Sequence, residues 1–328
     1  MTRSSLIGPP PRRPSGEKKP VVNRLNPDDV LCERYRVVRM IGRGGMGEVY
    51  EAVDLGSGER VAVKTVLAKF LGSSKVIARF RREIDLSRRI SHPNVLRIQD
   101  VFELPPNGED PDAPQMAAPC MVMEYLEGET LADRLEQGRL VRPDEARGLV
   151  IQMARALAAA HHAEVVHRDL KPDNVFLVDN GGQTRVVLTD FGVARPNSAE
   201  EDSFTATDVI VGTPTYMAPE QLELEEALPA SDIYTLGLVV YQMITGRFPF
   251  EADTAIQVVF MRVQQDPVPP RHHMPELDES WEDLIMRCLE RDPKERIADA
   301  EEIVALLEGR NGDSPAGAKA PRKTWWPF

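Results

Sequence analysis

His167-Arg168-Asp169-Leu170-Lys171-Pro172-Asp173-Asn174 is the stretch from which the rest of the chain can be read. Upstream of it, Ala146, Leu149, Val150, Met153 and Leu157 recur at helical spacing with Pro143 near the start, so the pattern predicts a helix over 143–161. Downstream come two apolar runs, 175–178 and 186–189, and the second leads into Asp190-Phe191-Gly192. A lone carboxylate in a loop is usually a solvated surface group. Here two carboxylates and an amide recur at loop–strand junctions, which fits oxygen ligands for a hard cation shared with phosphate groups.

Toward the N-terminus, Gly42-Arg43-Gly44-Gly45-Met46-Gly47-Glu48-Val49 fits G-x-G-x-x-G-x-V. Glycines in such a loop let backbone N–H groups approach phosphates without obstruction by a Cβ. Dinucleotide-binding loops share the three glycines but run from a strand into a helix. This one runs into a strand pattern over 49–53, then Gly-rich punctuation at 56–58 and another strand. Val61-Ala62-Val63-Lys64 ends that strand with a lysine, which on its own would read as a solvated group at a strand edge. A predicted helix over 75–90 changes this reading, because Glu83 lies on the side that carries Phe80 and Ile84. An inward carboxylate is costly without a partner, and Lys64 is the natural one.

The chain has 328 residues, a formal net charge of -12 and ordinary apolar content, which argues against non-specific nucleic-acid binding. Cys32, Cys120 and Cys288 are odd in number and far apart, so they read as reduced thiols. No apolar run is long enough to span a bilayer and the N-terminus has no signal-peptide core, so the expected location is cytoplasmic. Residues 1–33, rich in Pro, Arg, Lys and Ser, read as disordered, and 309–328 as a flexible tail. That tail ends in Trp325-Trp326-Pro327-Phe328 after Arg322-Lys323, which suits a membrane-interface anchor or a chain cut short before a transmembrane segment. Three strands fit 35–66, two more fit 94–103 and 119–125, and a polar Pro-rich insertion separates the last two. After Thr130 the pattern turns helical, with later helices at 232–245, 254–264, 280–289 and 299–308. The expected class is α+β, with a small β-rich lobe over 34–125 and a larger, mainly helical lobe over 126–308. His161-His162 and His272-His273 lack acidic or thiol neighbours at ligand spacing and read as helix-end or surface histidines.

Taken with Ala218-Pro219-Glu220, these motifs make the region from about 35 to 308 resemble a eukaryotic-type (Hanks-type) protein kinase, specifically the bacterial serine/threonine branch. The resemblance implies the bilobal kinase fold, with one key helix in the small lobe. It also implies transfer of the ATP γ-phosphate to serine and threonine hydroxyls of protein substrates, in bacterial signal transduction. Asp169 would be the base, and Lys171 the mark of a serine/threonine enzyme. Lys64, oriented by Glu83, would hold the α/β-phosphates, while Asn174 and Asp190 would bind Mg²⁺ or Mn²⁺. Gly42, Gly44, Gly45 and Gly47 would cover the phosphates. Ile41, Val49, Ala62 and Phe176 would sandwich adenine, with Met123, Glu124 and Leu126 as gatekeeper and hinge. Thr213 would contact Asp169 and Lys171, Asp232 would hold the 167–174 loop backbone, and Arg296 would pair with Glu220.

Thr205 and Thr207 would be autophosphorylated, with Arg168 as the partner of the phosphate. This leaves room for a homodimer that phosphorylates in trans, and for reader domains that dock on phosphorylated segments. A non-catalytic scaffold usually lacks the lysine or one of the two aspartates, and none is missing here. A small-molecule kinase would not be expected to carry the segment from Gly212 through Glu220 that shapes a peptide-binding surface.

Overall fold

The computed structural model describes residues 25–105, 117–191, 214–222 and 227–309. Thr205, Thr207, Thr213, the glycine of Asp190-Phe191-Gly192 and the segments at 1–24, 106–116 and 310–328 lie outside the described residues. The small lobe is one antiparallel sheet built from β1 (Val30–Leu31), β2 (Tyr35–Arg43), β3 (Gly47–Asp54), β4 (Arg60–Val66), β5 (Ile98–Leu104) and β6 (Ala118–Glu124), in the order β1-β2-β3-β4-β6-β5. Helix α1 (Ser74–Arg88) crosses one face of this sheet.

Alternation along β4 decides what the two faces do. Val61 and Val63 join Tyr35, Val37, Tyr50 and Val122 in one apolar cluster. Ala62 and Val66, and with them Lys64, point to the other face, where Ile77, Phe80 and Ile84 of α1 pack. Ser73 starts α1 by accepting the Val76 N–H, and the 3.6-residue period then turns Phe80, Glu83 and Ile84 inward together. Truncating Phe80 to alanine would remove the anchor of this face at about 3–5 kcal/mol.

Folded structure begins earlier than the sequence pattern indicates. Val30 and Leu31 pair with Arg36 and Tyr35, and Leu31 is buried beside Tyr35. A two-residue strand is too short for alternation to reveal it.

Beyond β6 the chain forms β7 (Gly128–Thr130), α2 (Leu131–Glu136) and α3 (Pro143–His162). Then come β8 (Val175–Asp179), β9 (Thr184–Leu188), α4 (Pro219–Leu222), α5 (Pro229–Thr245), α6 (Ala255–Gln264), α7 (Glu279–Cys288) and α8 (Ala300–Glu308). Helix α3 packs on α5, α8 and β9, and α5 on α7. Along α5 every residue from Ser231 to Tyr241 is buried, so this helix is the central element of the large lobe. Gly246 ends it at φ 70°, a left-handed position that glycine takes without strain. The strands β7, β8 and β9 form a small sheet at the inter-lobe face. Its β9 edge meets the segment before β5, where Leu96 N–H donates to the Leu188 carbonyl and Leu188 N–H to the Asn94 carbonyl. These bonds seat the small lobe on the large one directly beside the Asp190 junction.

Candidate active site

Lys64 sits between two carboxylates. Its Nζ lies 2.6 Å from Glu83 Oε1 and 2.7 Å from Asp190 Oδ1, so one ammonium ties α1 of the small lobe to the end of β9 in the large lobe. Burial pushes the Glu83 carboxyl up, with Lys64 opposing it. At Asp190 burial pulls the same way, but the Lys64 ammonium wins and holds this carboxyl below its ordinary value. Lys64 itself is raised, because the two carboxylates outweigh its desolvation. The lysine is therefore charged throughout the physiological range.

The 167–174 loop leaves α3 and is held from below by Asp232 on α5. Asp232 Oδ2 accepts the His167 N–H at 2.8 Å and Oδ1 accepts the Arg168 N–H at 3.0 Å. His161 Nε2 lies 2.8 Å from the same Oδ2. His161 is thus largely buried and structural, while His162 is exposed and pairs with Glu301 at 3.1 Å. Both are helix-end histidines, as the sequence reading has them: they are the last two residues of α3. Arg168 and Asp190 both have positive φ, 68° and 60°, a conformation that costs a non-glycine residue on the order of 1–3 kcal/mol. Asp232 supplies the bonds that hold the first of these, and Lys64 anchors the second. The His167 ring is fully buried and packs tilted against Phe191 with centroids 4.4 Å apart; desolvation lowers its pKa, so it stays neutral.

Asp169 projects into the cleft with its side chain 39% exposed, and that of Asp190 is 42% exposed. Lys171 Nζ donates to Asp169 Oδ2 at 2.8 Å, and Asn174 Nδ2 to the Asp169 carbonyl at 2.8 Å. The Thr189 N–H donates to the Asn174 carbonyl at 3.0 Å, and Val175 pairs with Leu188, so β8–β9 pairing sets Asn174 and Asp190 side by side. Among the described residues no three His, Cys, Asp or Glu side chains converge as a metal cage. The Asn174 amide and the Asp190 carboxylate could instead give two oxygen ligands to a hard cation that takes its others from phosphate and water.

The apolar residues expected around adenine come from four strands of the two lobes. Ala62 lies opposite Met123 in the β4–β6 register, Phe176 lies on β8 opposite Val187, and Ile41 and Val49 come from β2 and β3. The glycines of the 42–47 turn do not share one role. A Cβ on Gly45 would meet nothing within 4 Å, and Cβ atoms on Gly42 and Gly44 would make ordinary contacts at 3.9 Å, so this turn leaves open room at the cleft. A Cβ on Gly47 would fall 2.7 Å from the Thr65 carbonyl oxygen. The close approach of β3 to β4 therefore calls for glycine at position 47.

At the hinge, Glu124 N–H donates to the Arg97 carbonyl at 3.0 Å, and its carboxylate takes two Arg185 donors at 3.1 Å. Arg185 has no sequence signal, because an arginine in a strand next to a turn reads as solvated. Glu220 and Arg296 meet as a buried bidentate pair, both bonds 2.7 Å, with side chains 3% and 0% exposed. The Ser231 hydroxyl donates to Glu220 Oε1 at 2.6 Å, and Arg296 holds Glu220 below the ordinary carboxylate range against the upward push of burial.

Comparison with known proteins agrees with this architecture. Residues 35–306 match the family model described as protein kinase domain. The chain is 34% identical over 286 residues to the probable serine/threonine-protein kinase PknB of Bifidobacterium longum, covering 87% of this chain and 41% of that protein. It is 35% identical over 278 residues to serine/threonine-protein kinase PrkC of Bacillus subtilis, covering 85% of this chain and 40% of that protein. It therefore spans about two-fifths of the length of these relatives. The crystal structure of the Mycobacterium tuberculosis PknI kinase domain superposes with a TM-score of 0.65 at 24% identity, covering 88% of this chain and all of that one, which shows a shared fold. Among the described residues no helix is long and apolar enough to cross a membrane. A curled sheet with one inward helix, a helical lobe and the Lys64-centred cleft between them meet in a sequence that the family model matches over residues 35–306: the chain belongs to the protein kinase domain family.

Proposed function

We propose that this chain is a bacterial serine/threonine protein kinase that transfers the γ-phosphoryl group of ATP to hydroxyls of protein substrates. The observation that carries the reading is the double contact of Lys64 with Glu83 and Asp190, set 2.6 and 2.7 Å away, above an Asp169 carboxylate open to the cleft. Phosphoryl transfer asks a protein chiefly for positioning and charge neutralisation. Lys64, kept charged and aimed by Glu83, would place the α/β-phosphates. Asp169 would take the proton of the attacking serine or threonine hydroxyl as its oxygen bonds to the γ-phosphorus and the bond from that phosphorus to the bridging oxygen of ADP breaks. Lys171, bonded to Asp169, would offset charge on the transferred group. Asn174 and Asp190 would hold Mg²⁺ or Mn²⁺, which supplies charge neutralisation across the phosphates.

Ile41, Val49, Ala62, Met123 and Phe176 would enclose the adenine, with the backbone of Glu124 and Leu126 at its edge. The Glu124–Arg185 pair supports this by fixing the hinge. Thr213 would complete the site beside Asp169 and Lys171. Thr205 and Thr207 would be phosphorylated between two copies of the chain, and phosphorylated segments would recruit reader domains. We place the domain in the cytoplasm, where ATP is available. Lys64→Met and Asp169→Asn test the assignment: both purified variants should fold and neither should incorporate labelled phosphate, whereas wild-type-like incorporation by either would remove it.

A further inference from the structure

Helix α6 turns apolar residues outward, with Ile256 54% and Phe260 59% exposed, and buries an arginine. Arg262 is 1% exposed. Its Nη1 donates to the Met217 carbonyl at 2.7 Å and its Nη2 to the Thr215 carbonyl at 2.8 Å, and the guanidinium lies 5.9 Å from the centroid of the Phe250 ring. Burying a guanidinium is costly, and packing alone would be served better by an apolar side chain. What arginine adds is a planar fork of donors with fixed spacing.

The carbonyls it grips belong to the single turn over 214–216 and the residue after it, and side chains of neighbouring helices hold this segment. Thr235 Oγ1 on α5 donates to the intervening Tyr216 carbonyl at 3.1 Å, and the Tyr216 hydroxyl donates to Gln242 Oε1. Three successive carbonyls, at Thr215, Tyr216 and Met217, are thus set by Arg262, Thr235 and Arg262 in turn. The segment continues to Gln221, whose Nε2 donates to the Arg168 carbonyl at 3.3 Å, one residue from Asp169. A chain of hydrogen bonds therefore joins the Thr215–Met217 backbone to the loop that carries the base.

We propose that Arg262 is a positioning residue for the protein substrate: by fixing the Thr215 and Met217 carbonyls it sets the platform that aligns the acceptor segment with Asp169. This rests on the phosphotransfer reading above, in which the segment ending at Glu220 borders the peptide site. It assigns Arg262 no part in nucleotide binding, since its guanidinium grips the Thr215 and Met217 carbonyls of the 214–217 segment.

Arg262→Met, which keeps most of the length and removes the donors, and Arg262→Lys, which keeps the charge, test this with dephosphorylated casein as substrate. Casein and ATP are varied separately, and thermal unfolding is followed in parallel. The casein KM of Arg262→Met should rise roughly tenfold or more, from the loss of charge-assisted bonds, with the ATP KM within about twofold of wild type. Arg262→Lys should fall between the two. An unchanged casein KM would overturn the proposal, and so would casein and ATP KM values rising together in step with lost stability, the mark of a structural role. If Arg262→Met does not fold, the same split in Arg262→Lys decides. A folded wild-type protein that transfers no phosphate to casein would strike the phosphotransfer reading; transfer by wild type with normal casein KM in both variants would strike Arg262 alone.

Discussion

Replacing Arg296 by methionine should destabilise the large lobe more than the loss of a surface ion pair ever could. Exposed pairs contribute about 0–1 kcal/mol, because water and side-chain entropy offset the Coulomb gain. Glu220 and Arg296 are 3% and 0% exposed, and Arg296 also satisfies the carbonyls of Ala230, Glu290 and Arg291. Removing the guanidinium leaves a carboxylate in the interior with Ser231 as its remaining side-chain donor among the described residues. Breaking a buried pair in this way costs about 3–5 kcal/mol. For a domain of this size that corresponds to a fall in Tm on the order of 10 °C.

The pH dependence follows from the sign of the shift. In the wild type Glu220 is depressed, so its contribution is complete above its unfolded-state pKa and is lost as pH falls through the lower folded value. In Arg296→Met burial without a cation raises the same carboxyl, so the variant is penalised at neutral pH and relieved on protonation. The gap in Tm between the two proteins should therefore narrow as pH drops toward about 4. A double variant, Glu220→Gln with Arg296→Met, should recover part of the loss. Thermal unfolding between neutral and mildly acidic pH measures all three effects. A neutral-pH loss below about 1 kcal/mol, or a gap that widens on acidification, would refute the reasoning.

Gly47→Ala should cut stability and raise the ATP KM, because its Cβ would fall 2.7 Å from the Thr65 carbonyl oxygen, whereas Gly45→Ala meets nothing within 4 Å and should leave stability unchanged; equal Tm values for the two variants would show that the β3–β4 approach is not what requires glycine. Chelation by EDTA should stop turnover, with Mg²⁺ or Mn²⁺ restoring it; undiminished turnover in metal-free buffer would count against Asn174 and Asp190 as metal holders. Mass spectrometry of active protein should find phosphate on Thr205 or Thr207, and the Thr205→Ala/Thr207→Ala variant should lose most activity. An active protein without phosphate there would remove the loop switch and leave the rest standing.

The site was legible in sequence wherever its residues are contiguous or fixed by local period. Asp169, Lys171 and Asn174 share one loop, Glu83 is placed by the period of α1, and Lys64 lies in an apolar strand whose alternation turns it toward that helix. Asp232 and the Glu220–Arg296 pair followed from the resemblance, and both take the predicted partners. What stayed hidden depends on three-dimensional approach. Val30–Leu31 and Gly128–Thr130 are strands of two and three residues, below the length at which alternation has meaning. Gly47 looks like its neighbours in the 42–47 turn, and only the Thr65 carbonyl distinguishes it. Arg185 and Arg262 are cations in amphipathic segments, where a long side chain ordinarily reaches water. Nothing in their local pattern marks the carboxylate and carbonyls they grip.

Asp169, facing the cleft beside the Lys64 bridge, is proposed to serve transfer of phosphate to protein hydroxyls. Purified protein incubated with γ-labelled ATP, Mg²⁺ and casein, alongside Asp169→Asn of matched thermal stability, tests it by phosphoamino-acid analysis. Label is expected on serine and threonine from the wild type and none from the variant. Label on tyrosine alone, or undiminished transfer by Asp169→Asn, would contradict it.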